Sequence, residues 1–236
     1  MAQDQSVNSI NQSAMNKPPF EAEHGCICAP ADIAIIEFYK GYFDSVYIIL
    51  HPFYSLNDKK EITNMYTWAK MVSLTGFNDL NQLDIAMRNS IGGLNKNWKN
   101  DEDVKILQSV CTLNDIWIPS EGLFQDSLRN EMLLGIQEQG HHYMFVADEY
   151  GYERKLTYIS EFMVKDDIVL EWGGRENWYT NKNEILYTSH WDSHFTLLCS
   201  DKKTIESILS KHPFEGFYCD IKTEIYWSCQ AYEKRK

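Results

Sequence analysis

The chain has 236 residues, enough for a sizeable core, and 44% of them are hydrophobic against 24% charged, the composition of a folding globular protein rather than of a disordered one. It carries 34 acidic against 22 basic residues, a net charge of −12, and such a field repels phosphate backbones and anionic membrane surfaces, so neither nucleic acid nor a membrane is an expected partner. No apolar run approaches the ~20 residues needed to cross a bilayer, and the opening MAQDQSVNSINQSAMNKPPF has neither the positive nor the apolar region of a secretory leader.

Residues 1–19 are rich in Ser, Asn and Gln and end at Pro18-Pro19, a composition with no hydrophobic period to dock it, so they are expected to form a flexible tail. Residues 20–236 show no linker, low-complexity block or repeat, which predicts one domain. Six cysteines without an export signal read as reduced thiols of a cytoplasmic protein, with no disulfides.

The run SVYIILHPF at 45–53 predicts a strand. From Asp58 to about Ile116 the pattern is helical. Leu80, Leu83, Met87, Ile91 and Leu94 form one apolar stripe, Val104, Leu107 and Cys111 another, and Gly92-Gly93 loosens or ends the first helix. A helix over Gln125–Gln139 should stop at Gly140. YMFVADE, DDIVLEW and LYTSHWDSHFTLLCS then read as extended, KKTIESILSKHP as a short helix ending before Pro213, and GFYCD and TEIYWSC as strands. The expected fold is α+β, a helical N-terminal half packed on a mostly antiparallel sheet formed largely by the C-terminal half.

Taken as one strand, residues 186–199 put Tyr187, Trp191, Phe195, Leu197 and Cys199 on one face and Thr188, His190, Asp192, His194 and Thr196 on the other. Side chains two residues apart on a strand stand roughly 6–7 Å apart, so His190, Asp192 and His194 would converge on a divalent transition metal if the sheet twists suitably. The competing reading is the ordinary polar face of an antiparallel strand, or a turn at Trp191-Asp192-Ser193 that separates the histidines.

Other candidates carry less. His24, Cys26 and Cys28 alternate in HGCIC but lack a second ligand pair. Glu138 and His141 have a di-iron spacing that Gly140 interrupts. His51 and His212 end elements beside prolines and read as structural. The stretch EWGGRENWY at 171–179 predicts a binding loop, in which Trp172, Trp178 and Tyr179 stack a planar ligand and Arg175 holds an anion. A hairpin whose aromatics cover the sheet is the plainer alternative. Walker, GxGxxG, GxSxG and HExxH signatures are absent.

The segments VYIILHPF, QLDIAMRNSIGGL, DIWIPSEGLF, WDSHFTLLCS and EGFYCD, with the late YW pair, together resemble a small bacterial family, found mainly in bacilli, that carries a domain-of-unknown-function label. The resemblance spans most of the chain after the tail and implies no activity, cofactor or catalytic residue. The expected function is therefore a binding or interaction module for an unknown protein or small molecule, with no cofactor. The alternative is a metal-binding protein or metal-dependent enzyme built on His190, Asp192 and His194.

Overall fold

A computed structural model of the chain describes residues 27–94, 96–163 and 175–233. In chain order these form α1 (Ile35–Phe38), β1 (Ser45–Leu50), β2 (Phe53–Leu56), β3 (Ile62–Tyr66), α2 (Trp68–Thr75), α3 (Leu80–Ser90), a 3-10 turn (Lys96–Trp98), α4 (Asp101–Leu113), α5 (Asp126–Glu138), β4 (Tyr143–Ala147) and β5 (Arg154–Tyr158). There follow α6 (Ile159–Phe162), β6 (Asn177–Tyr179), β7 (Leu186–Thr188), β8 (Phe195–Ser200), α7 (Lys202–Lys211), β9 (Gly216–Tyr218) and α8 (Trp227–Glu233). The expected tail, the DDIVLEW run, His24 and Cys26 lie outside the described residues.

Among the described residues, seven strands form one antiparallel sheet in the order β5-β4-β6-β7-β8-β1-β9, and β2 and β3 form a separate hairpin. The fold is α+β. Helices cover both faces of the sheet. On one side α2, α3 and α4 pack on Val46, Ile48, Leu50, Leu186, Leu197 and Cys199. On the other, Met132, Leu133 and Ile136 of α5 and Ile205 and Ile208 of α7 pack on Tyr47, Ile49, Trp178, Tyr187 and Leu198. A strand covered on both faces needs no polar side, which is why VYIIL and FTLLCS are buried along almost their whole length.

The helices start where short polar side chains can take up orphan amides. Thr67, Asp79, Asn100 and Asp201 each accept from the backbone N–H three residues on, capping α2, α3, α4 and α7. Helix α5 ends as expected, with Gly140 in the left-handed region at φ 92°.

Two expectations are corrected. The helical block does not begin at Asp58: β2 and β3 form a hairpin there, turned by Lys60 at φ 62°, and helical periodicity starts only at Trp68. TEIYWSC is not a strand. It turns and enters α8, with Ile225, Ser228 and Cys229 buried at helical spacing against α3.

Candidate functional site

The Trp-centred stretch is not one strand. Strands β7 and β8 pair with each other, Leu186 opposite Cys199 and Thr188 opposite Leu197. Between them the Ser193 N–H donates to the His190 carbonyl at 3.0 Å, closing a four-residue turn on Trp191-Asp192. Trp191 sits at the tip, 43% exposed. The expected sorting of rings inward and histidines outward is overturned: His190, His194, Thr188 and Thr196 are all buried. The cause lies on α3 and in the turn that leads into α8. Arg88 Nη1 donates to the Asp192 carbonyl at 2.7 Å, and Nη2 donates to the Ile225 carbonyl at 2.9 Å and to Ser193 Oγ at 3.4 Å. The Asp192 carboxylate is held at 2.9 Å by Trp191 Nε1 and at 3.0 Å by the Tyr226 hydroxyl.

Arg88 is itself fixed by Asp84, its Nε donating to Oδ2 at 2.8 Å, and Ser228 Oγ donates to the same oxygen at 2.6 Å. Both charged side chains are fully buried. Gly122, at φ +70°, lies against the same turn: its N–H donates to the Ser193 carbonyl at 2.9 Å, and an added Cβ would stand 2.7 Å from the Trp191 carbonyl oxygen. The hairpin tip is thus clamped from three sides. The sequence carried a signal for this, an Asp and an Arg four residues apart beside the apolar stripe of α3.

The turn separates the functions expected of His190, Asp192 and His194. His190 Nδ1 accepts from the Asp192 N–H at 3.3 Å, and its ring lies 4.4 Å from Trp191. Burial, with the Arg88 charge next, lowers His190 to about 4. Burial followed by Arg88 lowers His194 to about 3, and burial followed by His194 lowers His51 to about 3. All three are neutral rings at neutral pH. Among the described residues no three His, Cys, Asp or Glu side chains gather as a metal-ligand set. His51 donates or accepts at 2.8 Å with Thr196 Oγ1, and its N–H bonds the His194 carbonyl at 3.0 Å, so it ties β1 to β8.

The expected binding loop also divides. Trp172 lies outside the described residues. Trp178 and Tyr179 are not loop residues: they belong to β6 and are buried on opposite faces, Trp178 against Arg129 and Tyr179 stacked on Phe145 at 5.3 Å. A central strand with both faces covered leaves its rings no solvent side. Arg175 does reach a cleft. Its Nη1 donates to Glu149 Oε2 at 3.2 Å, and its guanidinium stands 6.0 Å from the Trp191 ring.

That cleft, about 250 Å³, opens at the end of the sheet where β4 and β7 finish and β6 begins. Ala29, Pro30, Phe38 and Trp191 give it apolar walls, and His190 and Glu176 line it as well. It adjoins a larger groove of about 920 Å³ and shares with it Glu149, Tyr150, Arg175 and Glu176. Glu176 is oriented through one oxygen: Oε2 accepts from Trp178 Nε1 at 3.0 Å and from Arg129 Nη2 at 3.2 Å. Beside this pair, burial raises the Asp126 carboxyl to about 6, with Arg129 opposing and Glu176 adding to the rise. Sequence reading missed Glu149, Glu176 and the Ala29-Pro30 wall, because residues far apart in the chain meet only at the sheet end.

The model of a family described as "Protein of unknown function (DUF2711)" matches residues 31–229, which include every strand of the sheet. The chain is similar to "Uncharacterized protein YwbB" of Bacillus subtilis (strain 168), 22% identical over 178 residues that cover 75% of this chain and 78% of that protein. No solved structure matches. Among the described residues no helix is long and apolar enough to cross a membrane.

Proposed function

Because the chain belongs to the DUF2711 family of proteins of unknown function, its chemistry has to be read from its own side chains, and we propose that it is a cytoplasmic small-molecule-binding protein whose ligand enters the cleft beside Trp191. The observation that carries this reading is the pairing of an apolar chamber with a rim of charged groups. Small-molecule sites are concave, mostly apolar, and carry a few placed polar groups. The chamber of about 250 Å³ has this make-up, and its rim residues Glu149, Tyr150, Arg175 and Glu176 continue into the wider groove. Buried thiols at Cys111 and Cys199 suit a reducing cytoplasm.

The His190, Asp192 and His194 reading is not the one we favour. The Asp192 carboxylate already serves Trp191 and Tyr226, and the imidazole Nδ1 of His190 already accepts a backbone N–H.

The test is two-dimensional NMR of the full chain titrated with ring-sized neutral probes, indole and cyclohexanol. The expected result is dose-dependent shifts of the Trp191 indole and Ala29 amide signals, weakened at least tenfold in Trp191→Ala. Millimolar concentrations correspond to binding of about −4 kcal/mol, within reach of such fragments. Absence of shifts at these signals with every probe would overturn the reading.

A further inference from the structure

We propose that the ligand of this cleft is a free α-amino acid with a ring or branched apolar side chain, its carboxylate on Arg175 and its ammonium on Glu176. The inference rests on the cleft being the binding site and adds the class of molecule.

Three observations lead to it. The first is size. An apolar cavity of about 150 Å³ holds a benzene ring, so about 250 Å³ holds a ring or branched chain with a few further atoms. The chamber walls, Ala29, Pro30, Phe38 and Trp191, offer such a group no hydrogen bonds from their side chains beyond the Trp191 indole, which Asp192 already occupies. The second is unused capacity at the rim. Arg175 spends Nη1 on Glu149, which leaves Nε and Nη2 for an incoming acceptor. Glu176 spends Oε2 on Trp178 and Arg129, which leaves Oε1 for an incoming donor. Of the other polar residues that line the chamber, Asn177 donates to the Asp148 carbonyl and Ser189 to the Phe195 carbonyl, while Nε2 of the buried His190, whose Nδ1 already accepts, is a donor left without a partner among the described residues, beside the same rim.

The third is the pairing of charge. At the rim Glu149 is paired with Arg175 and Glu176 with Arg129. A monoanion would bring a charge onto two carboxylates, and a simple amine would bring one onto two guanidinium groups. A zwitterion adds no net charge, and it satisfies one free donor edge and one free acceptor together. Arg175 and Glu176 both line the chamber and the groove, and a ligand with its two heads on one α-carbon is small enough to offer one head to each beside the apolar chamber.

Isothermal titration of the full-length protein with L-phenylalanine and L-leucine, against 3-phenylpropionate, 2-phenylethylamine and indole, tests this. L-phenylalanine is expected to bind at least tenfold tighter than either single-headed analogue. Arg175→Ala should weaken L-phenylalanine at least tenfold without weakening 2-phenylethylamine, whereas Glu176→Gln should weaken L-phenylalanine without weakening 3-phenylpropionate. Arg175 is well exposed, so its variant tests the idea even if Glu176→Gln disturbs the Arg129 pair. Glu149→Gln releases the guanidinium and should tighten 3-phenylpropionate severalfold. Equal binding of L-phenylalanine, its single-headed analogues and indole would overturn the amino-acid assignment and leave the cleft as a binding site. So would L-phenylalanine affinity insensitive to both Arg175→Ala and Glu176→Gln. Failure of every probe, indole included, would overturn both.

Discussion

Arg88 organises the hairpin tip because one buried guanidinium answers four acceptors from three parts of the chain: Asp84, Asp192, Ser193 and Ile225. Breaking a buried ion pair leaves a charge stranded, at about 3–5 kcal/mol. Arg88→Met is therefore expected to destabilise by about that amount in urea unfolding, and Asp84→Asn combined with Arg88→Met should lose less than the sum of the two single changes. Gly122 makes a second demand on a single residue. Alanine there must hold a left-handed backbone, about 1–3 kcal/mol, while its Cβ meets the Trp191 backbone. Gly122→Ala should lower the thermal midpoint and, by displacing Trp191, weaken cleft binding as well.

At the level of elements, α8 is placed by its partners. Trp227-Ser228-Cys229 has strand-like composition, yet Ser228 donates to Asp84 and Tyr226 donates to Asp192, and a turn followed by a helix makes both bonds. Tyr226→Phe removes one such bond, so a loss of about 1 kcal/mol is expected by denaturant titration. Helix α7 depends instead on a local device. Asp201 accepts from the Thr204 N–H at 3.0 Å and from the Thr204 hydroxyl at 2.6 Å, and these bonds hold its carboxyl below the usual range. Asp201→Ala should cost about 1 kcal/mol. Local capping of this kind is visible in the linear chain, whereas the demand on α8 is not.

For the whole molecule, two helical layers over one sheet bury three imidazoles without charging them. His51 and His194 fall to about 3 and His190 to about 4, all below the ordinary 6.5 of an unfolded chain. Below pH 6.5 the unfolded chain takes up protons that the folded protein refuses. Stability is therefore full above that pH and lost progressively as pH falls toward the folded values. Asp126 works the other way. Its carboxyl is raised to about 6, so the stability it contributes is present at low pH and lost as pH rises through 6. The histidines outnumber it, and the urea midpoint is expected to drop between pH 6.5 and 5. His194→Gln should flatten that slope whatever it does to stability at pH 7.5, and an unchanged slope would show that His194 is not held neutral.

What the sequence determined alone is what depends on neighbours along the chain. Apolar periodicity placed α3, α4 and α7, Gly140 ended α5, and the apolar β-branched runs placed β1, β4 and β8, because helix and strand periods are set by residues within one or two turns of each other. The spread of matching segments pointed to the family. Only the tertiary structure decided that Trp191-Asp192 reverses the chain, that Trp178 and Tyr179 are core rings rather than a binding loop, and that Arg175 meets Glu149, Glu176 and the Ala29-Pro30 wall. The physical reason is the same in each case. A turn, a buried charge and a cleft are fixed by groups dozens of residues apart, and their energies exist only once the sheet has brought those groups together.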